Sequence, residues 1–284
     1  MKTHCEIELG SINSSAEREP LLKMSDEILY HSQMISFLEE LWGDGFLSPG
    51  GAEEVKKVLE GIKIKDRRVL DIGSGSGACA VLLAKNYLAK QVVGIDVEPP
   101  VCDAARDHVL AAGLSEKISI ELVSPGQLPF EDGSFQVVFS KDSIIHIPDK
   151  SALALDVFRV LKPGGQFVGS DWLISHDGKP SPEMSEYIKA EGLDFAMASP
   201  GEYQKALVAA GFVEIELVNR NPWYSKIAAN ELEWLKGPYR KDLSERHGKE
   251  FIDHQVEIWM KLVGVLKSGE HCPHHIRAKK PLDS

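Results

Sequence analysis

Val69-Leu70-Asp71-Ile72-Gly73-Ser74-Gly75-Ser76-Gly77 is a short apolar run that stops on one carboxylate and alternating glycines. A buried strand that ends abruptly at glycines leaves backbone amides bare at the start of the following helix, where a ligand can come close. The next apolar run, Gln91-Val92-Val93-Gly94-Ile95-Asp96, also finishes on a carboxylate. Together they read as a strand, helix, strand unit with acidic tips.

Outward from that unit the pattern repeats. A helix over 78–88 joins the two strands, and Pro99-Pro100 opens another that runs to about 112. Residues 118–123 and 135–140 read as a third and a fourth strand. A helix over 156–161 stops at Lys162-Pro163-Gly164-Gly165, and 166–171 is a fifth strand. This alternation predicts an α/β fold: a Rossmann-like, doubly wound, mostly parallel seven-stranded sheet with ligands at the carboxyl ends of its strands. Upstream, 1–24 reads as a loose polar arm. Helices over 25–41 and 53–61 flank the glycine-rich loop 42–51. Beyond Asp171 a partly helical cap covers 172–202. A helix over 202–210, a strand over 212–218 and helices over 223–266 follow. Residues 274–280 are expected as an antiparallel last strand at the sheet's edge, since Pro281 cannot donate to a ladder. The expected organisation is a helical lid (1–51), a core (52–171), an inserted cap (172–202), and closing strands with a helical cap insertion (203–284).

Composition narrows the function. The 32 Lys+Arg against 43 Asp+Glu give a formal net charge of -11, which repels nucleic-acid backbones and anionic membranes. A small-molecule partner is expected, with no nucleic acid and no membrane. Neither a membrane-length apolar run nor a signal-type N-terminus stands out, so a cytoplasmic location is expected. Cys5, Cys79, Cys102 and Cys272 form no CxxC pair and read as reduced thiols. The tail cluster His271, Cys272, His274 and His275 lacks a second paired module, so no metal is expected.

Gly73-x-Gly75-x-x-Ala78 also fits a dinucleotide fingerprint, with Asp96 as its ribose acid. Asp71 argues against it, because a carboxylate there meets a pyrophosphate unfavourably and attracts an ammonium or sulfonium. With these residues in view, the chain resembles the Rossmann-like (class I) S-adenosylmethionine-dependent methyltransferases over about 52–218. The matches are 69–77, Asp96, and Val160-Leu161-Lys162-Pro163-Gly164-Gly165 before the fifth strand. The resemblance implies S-adenosylmethionine as cofactor, leaving as S-adenosylhomocysteine. Asp71, Gly73, Ser74, Gly75 and Gly77 would face its methionine portion, and Asp96 with Val97 its ribose. Ser124, Gln127 and Leu128 would flank the adenine, with Ser140 and Lys141 near the methyl.

Phe139-Ser140-Lys141-Asp142-Ser143-Ile144-Ile145-His146-Ile147 then resembles the Asp-x-x-x-His stretch of the phosphoethanolamine and the sarcosine/dimethylglycine N-methyltransferases. If a helical turn starts here, Asp142 and His146 share one face. The resemblance implies Tyr30, His146 and Asp142 as catalytic residues, with Tyr30 and His146 as a lid dyad. Ser48, Trp172, Tyr187, Glu191 and Lys261 would bind substrate. Glu191 stands about where the phosphoethanolamine pattern has an arginine, and a carboxylate suits an amine better than a phosphate. The aromatic group Trp223, Tyr224, Trp234 and Trp259 is expected in the cap core. The resulting expectation is methyl transfer to the nitrogen of a small polar amine. The alternatives are transfer to the sulfur of a methylthio carboxylic acid, an NAD-dependent oxidoreductase, and a non-catalytic cofactor-binding protein.

Overall fold

A computed structural model describes residues 30–282. In chain order its elements are α1 (Ser32–Trp42), α2 (Gly51–Val58), β1 (Arg68–Ile72), α3 (Ala78–Lys85), β2 (Gln91–Asp96), α4 (Pro99–Ala111), β3 (Ile118–Leu122) and β4 (Phe135–Lys141). A 3-10 turn (Ile144–His146) leads into α5 (Lys150–Val160), β5 (Leu161–Asp171), α6 (Pro182–Glu191), α7 (Pro200–Ala210) and β6 (Val213–Asn219). The chain then continues through α8 (Asn221–Lys236), α9 (Arg240–His247), α10 (Lys249–Ser268) and β7 (His274–Lys279).

The strands form one seven-stranded sheet in the order β3-β2-β1-β4-β5-β7-β6. β1 to β5 are parallel, and β7 runs antiparallel to both neighbours. Successive strand side chains face opposite ways, so each face acquires its own core. Leu70, Ile72, Val93, Ile95 and Val138 pack on the face covered by α5 and α7, with Val157, Val160, Leu207 and Ala210. Val69, Val92, Val137, Phe139 and Val168 pack on the other, with Val55, Val58, Ala80 and Leu83 of α2 and α3. Asp71 shares the face of Val69 and is 1% exposed. A third cluster joins Phe37 and Leu38 of α1 to Met184 and Tyr187 of α6, and to Leu235, Ile252, Trp259 and Leu262 of the helices between β6 and β7. Helices α1, α6, α8, α9 and α10 thus share one apolar interior.

Two expectations need correction. Residues 274–280 are no edge strand: β7 lies between β5 and β6, and β6 is the edge. Pro281 falls just past the ladder. The helix expected at 156–161 begins at Lys150, because Asp149 caps it by accepting the Ala152 amide at 2.8 Å. The expected arm over 1–24 and the start of the first helix lie outside the described residues. Among the described residues no helix is long and apolar enough to cross a membrane.

Candidate active site

The tips of β1, β2 and β4 converge on the glycine turn. Gly73 has φ +68°, and a Cβ there would fall 1.6 Å from Ser143 Oγ, so only glycine lets the turn pass beneath the segment after β4. The amides of Gly73 and Ser74 donate to Ile95 O at 2.9 and 3.0 Å, which fastens the tip of β1 to that of β2. Gly75 N donates to Asp96 Oδ2 at 3.1 Å, while Asp96 Oδ1 accepts the amides of Val97 and Glu98 at 2.8 and 3.2 Å. Burial pushes the Asp96 carboxyl up from its ordinary range, and these amides pull against that.

A cavity of about 500 Å³ opens above these tips. It is lined by Gly73, Ser74, Gly75, Asp96, Val97, Ser124 and Leu128, and by Tyr30, Ser48, Lys141, Asp142 and His146. Sequence reasoning missed Glu98, Leu193, Asp194 and Phe195, which also line it. Asp194 (φ +47°) and Phe195 sit on the loop after Gly192, the left-handed cap of α6, and that glycine was the available signal.

Other expected residues do not line the cavity. Gly77 (φ +92°) starts α3 against Ala105, where a Cβ would lie at 3.2 Å, so its role is helix packing. Ser140 is fully buried and donates its hydroxyl to Ile72 O at 2.8 Å. Gln127 is exposed. Lys261 pairs with Glu186 at 2.9 Å on the surface. Trp172 packs its ring on Phe195 and His271 at 5.7 and 5.6 Å, and Tyr187 is 0% exposed. Glu191 lies behind the wall beside Tyr187 and Tyr30, and burial pushes its carboxyl up to about 7. Of the aromatic group, Tyr224 and Trp259 are buried in the cap.

Asp142 and His146 share no helical face. Asp142 adopts a left-handed backbone (φ +52°), and only a single 3-10 turn follows it. Both Asp142 oxygens are engaged. Oδ1 accepts Ser170 Oγ at 2.7 Å, Oδ2 accepts Lys141 Nζ at 2.9 Å, and Tyr224 OH reaches both at 3.2 and 3.0 Å. Tyr224 is a partner that the sequence did not reveal.

His146 is held from below. Lys150 Nζ donates to Ile144 O and Ile147 O, both at 2.6 Å, and Asp171 accepts the Ile145 amide at 2.9 Å and Tyr203 OH at 2.5 Å. His146 Nδ1 is buried without a partner, and the ring packs on Phe195 with centroids 5.6 Å apart. Among the described residues no hydrogen bond joins Tyr30 to His146, so the expected dyad is not formed here. Burial lowers His146 to about 4, opposed by the Leu193 backbone and Asp194.

The tail histidines are occupied separately. His271 faces Leu173 O at 3.3 Å, His274 faces Cys272 O at 2.5 Å, and His275 contacts Glu54 at 2.7 Å. Among the described residues no group of His, Cys, Asp and Glu is arranged to hold a metal.

Asp71, expected beside the cofactor's methionine portion, does not itself line the cavity but lies buried beneath the glycine turn. Both Asp71 oxygens and Ser74 Oγ are buried without partners, and burial pushes the Asp71 carboxyl up to about 8. Such a group gains from a nearby cation and loses against a pyrophosphate. The family described as "Methyltransferase domain" matches residues 70–169, which hold this turn and His146.

The chain carries a methyltransferase domain. It has the class I fold, and S-adenosylmethionine is the cofactor of its class. The chain is 32% identical over 260 residues to a phosphoethanolamine N-methyltransferase of Triticum aestivum, covering 91% of this chain and 50% of that one. It is 31% identical over 189 residues to a glycine/sarcosine/dimethylglycine N-methyltransferase of Actinopolyspora halophila, covering 66% and 33%. Among solved structures it resembles Haemonchus contortus phosphoethanolamine N-methyltransferase 2 in complex with phosphomonomethylethanolamine and S-adenosylhomocysteine. The TM-score is 0.80 at 25% identity, over 88% of this chain and 58% of that one. The chain thus spans about half the length of the first curated relatives it matches.

Proposed function

We propose that this chain, in the cytoplasm, transfers the methyl group of S-adenosylmethionine to the nitrogen of a small polar amine. The observation that carries the reading is a single cavity lined both by the Gly73 to Gly75 turn with Asp96 and by Tyr30, Lys141, Asp142 and His146. Asp96, with Val97, would hold the ribose; the glycine turn would hold the methionine portion, with the buried Asp71 beneath it. Once bound, the cofactor supplies a methyl group activated on a sulfonium.

The chain's own task is to present an unprotonated nitrogen in line with that methyl and to exclude water. A histidine with a pKa lowered to about 4 is neutral at pH 7, so its free Nδ1 accepts a hydrogen bond from the amine N–H and aims the lone pair. Asp142, with both oxygens engaged, holds Lys141 and Tyr224 in place and does not touch the nitrogen. Tyr30, which lines the same cavity, would stand beside the acceptor.

Labelled S-adenosylmethionine offered with phosphoethanolamine, sarcosine, dimethylglycine and unphosphorylated ethanolamines tests the reading. Transfer to at least one, reduced about 100-fold or more in His146→Ala, is expected. Transfer to none, with S-adenosylhomocysteine still bound in calorimetry, would remove the amine from the proposal.

A further inference from the structure

Two ionisable side chains are buried beneath the turn that carries His146, and neither lines the cavity. Lys150 is 7% exposed and Asp171 0%. Burial pulls the Lys150 ammonium down to about 8 and pushes the Asp171 carboxyl up to about 7, so the fold carries both at a cost. Lys150 is also the first residue of α5, where a positive charge meets the positive end of the helix. Neither solvation nor local structure favours these charges. Their tertiary bonds are what explains them.

Those bonds converge on residues 144 to 147. Lys150 Nζ donates to Ile144 O and Ile147 O, the carbonyls that bracket His146. One Asp171 oxygen accepts the amide of Ile145, and the other is steadied by the Tyr203 hydroxyl. Lys150 Nζ stands 5.6 Å from the centre of the Tyr203 ring, which joins the three side chains into one group. A 3-10 turn this short is held weakly by its own bonds, here His146 N to Ser143 O at 3.2 Å and Ile147 N to Ile144 O at 3.0 Å. Ile145 O in turn accepts the amide of Ala196 at 2.9 Å, so the turn also fastens the loop whose Asp194 and Phe195 line the cavity. The His146 ring packs on that same Phe195, with centroids 5.6 Å apart. Its direction is therefore set by the backbone below it and by the loop beside it.

Resting on the methyl-transfer reading, we infer that Lys150 and Asp171, with Tyr203 behind them, are positioning residues of the reaction: they fix the 144–147 turn and so aim His146 at the acceptor nitrogen. Their action on the substrate passes entirely through His146.

A double-mutant cycle on the full chain tests this. Methyl transfer from labelled S-adenosylmethionine is measured with whichever of phosphoethanolamine, sarcosine, dimethylglycine and ethanolamine is the best acceptor, and S-adenosylhomocysteine affinity by calorimetry. Lys150→Met keeps the stem and removes the donors. It should lower kcat about tenfold or more, with the KM for S-adenosylmethionine and the affinity for S-adenosylhomocysteine changed by less than about twofold. Beside His146→Ala the same change should cost less than about twofold, because the residue it acts through is gone. Tyr203→Phe is the milder variant, expected to lower kcat about threefold in the parent and not at all beside His146→Ala. It decides the matter should Lys150→Met fail to bind S-adenosylhomocysteine. An equal loss in both backgrounds, or no loss in the parent, overturns the inference. Transfer by the parent to none of these amines overturns the methyl-transfer reading, and the inference with it.

Discussion

At Gly73 one methyl group decides whether the site exists. A Cβ would sit 1.6 Å from Ser143 Oγ on a backbone already at φ +68°. Gly73→Ala should abolish S-adenosylhomocysteine binding in calorimetry and lower the melting temperature, and a second change, Ser143→Gly, should recover part of the stability. Asp71 makes a complementary prediction. Its folded pKa of about 8 lies above its unfolded value of about 4, so it binds a proton more readily when folded. Its contribution to stability is full below pH 4 and is lost as pH rises through 8, by up to about 1.4 kcal/mol per unit. Asp71→Asn should therefore be more stable than the parent at pH 9 without ligand and less so with S-adenosylhomocysteine, as read by thermal melts. His271, lowered to about 4, works the other way: its contribution is present above pH 6.5 and is lost as pH falls toward 4. For catalysis, the lowered His146 predicts a kcat/KM profile with no inflection near 6.5, rising instead with deprotonation of the amine. An inflection at 6.5 that disappears in His146→Ala would contradict that assignment.

Between elements, buried charge does the fastening. Glu54 of α2 is 1% exposed and receives Arg220 through two hydrogen bonds, 3.0 and 2.7 Å, as well as His275 of β7 at 2.7 Å. Its partners hold the carboxyl down at about 2 despite burial. Glu54→Ala would strand a guanidinium and an imidazole, and a destabilisation of about 3 to 5 kcal/mol is expected in urea titrations, against little change for an exposed acid such as Glu60. These ties explain what the sequence left hidden. The β1 to β5 alternation was legible because hydrophobic runs and glycine stops are local signals. The place of β7 was not, since strand order depends on pairings that skip the whole of α8 to α10. The engagement of Asp142 by Tyr224 depends on α8, one of those same distant elements.

For the whole molecule, the cavity lies at the sheet's strand tips, beside the interior shared by α1, α6 and the helices between β6 and β7, so ligand binding and global stability are coupled. At a hundredfold excess over its dissociation constant, S-adenosylhomocysteine should add about 2.7 kcal/mol and raise the melting temperature by roughly 5 to 10 °C, whereas NAD should leave it unchanged. A shift with NAD alone would return the glycine turn to the dinucleotide reading. The position of β7 has a further consequence for synthesis. β6 pairs only with β7, and β7 follows the three cap helices in the chain. A nascent chain therefore displays the edge of β5 and the whole of β6 unpaired while those helices emerge from the ribosome. Sheet completion waits for Lys279 to clear the exit tunnel. A force-sensing arrest peptide placed at successive lengths should register its principal pull only beyond that point, and an earlier full-strength pull would show that the sheet closes without its seventh strand.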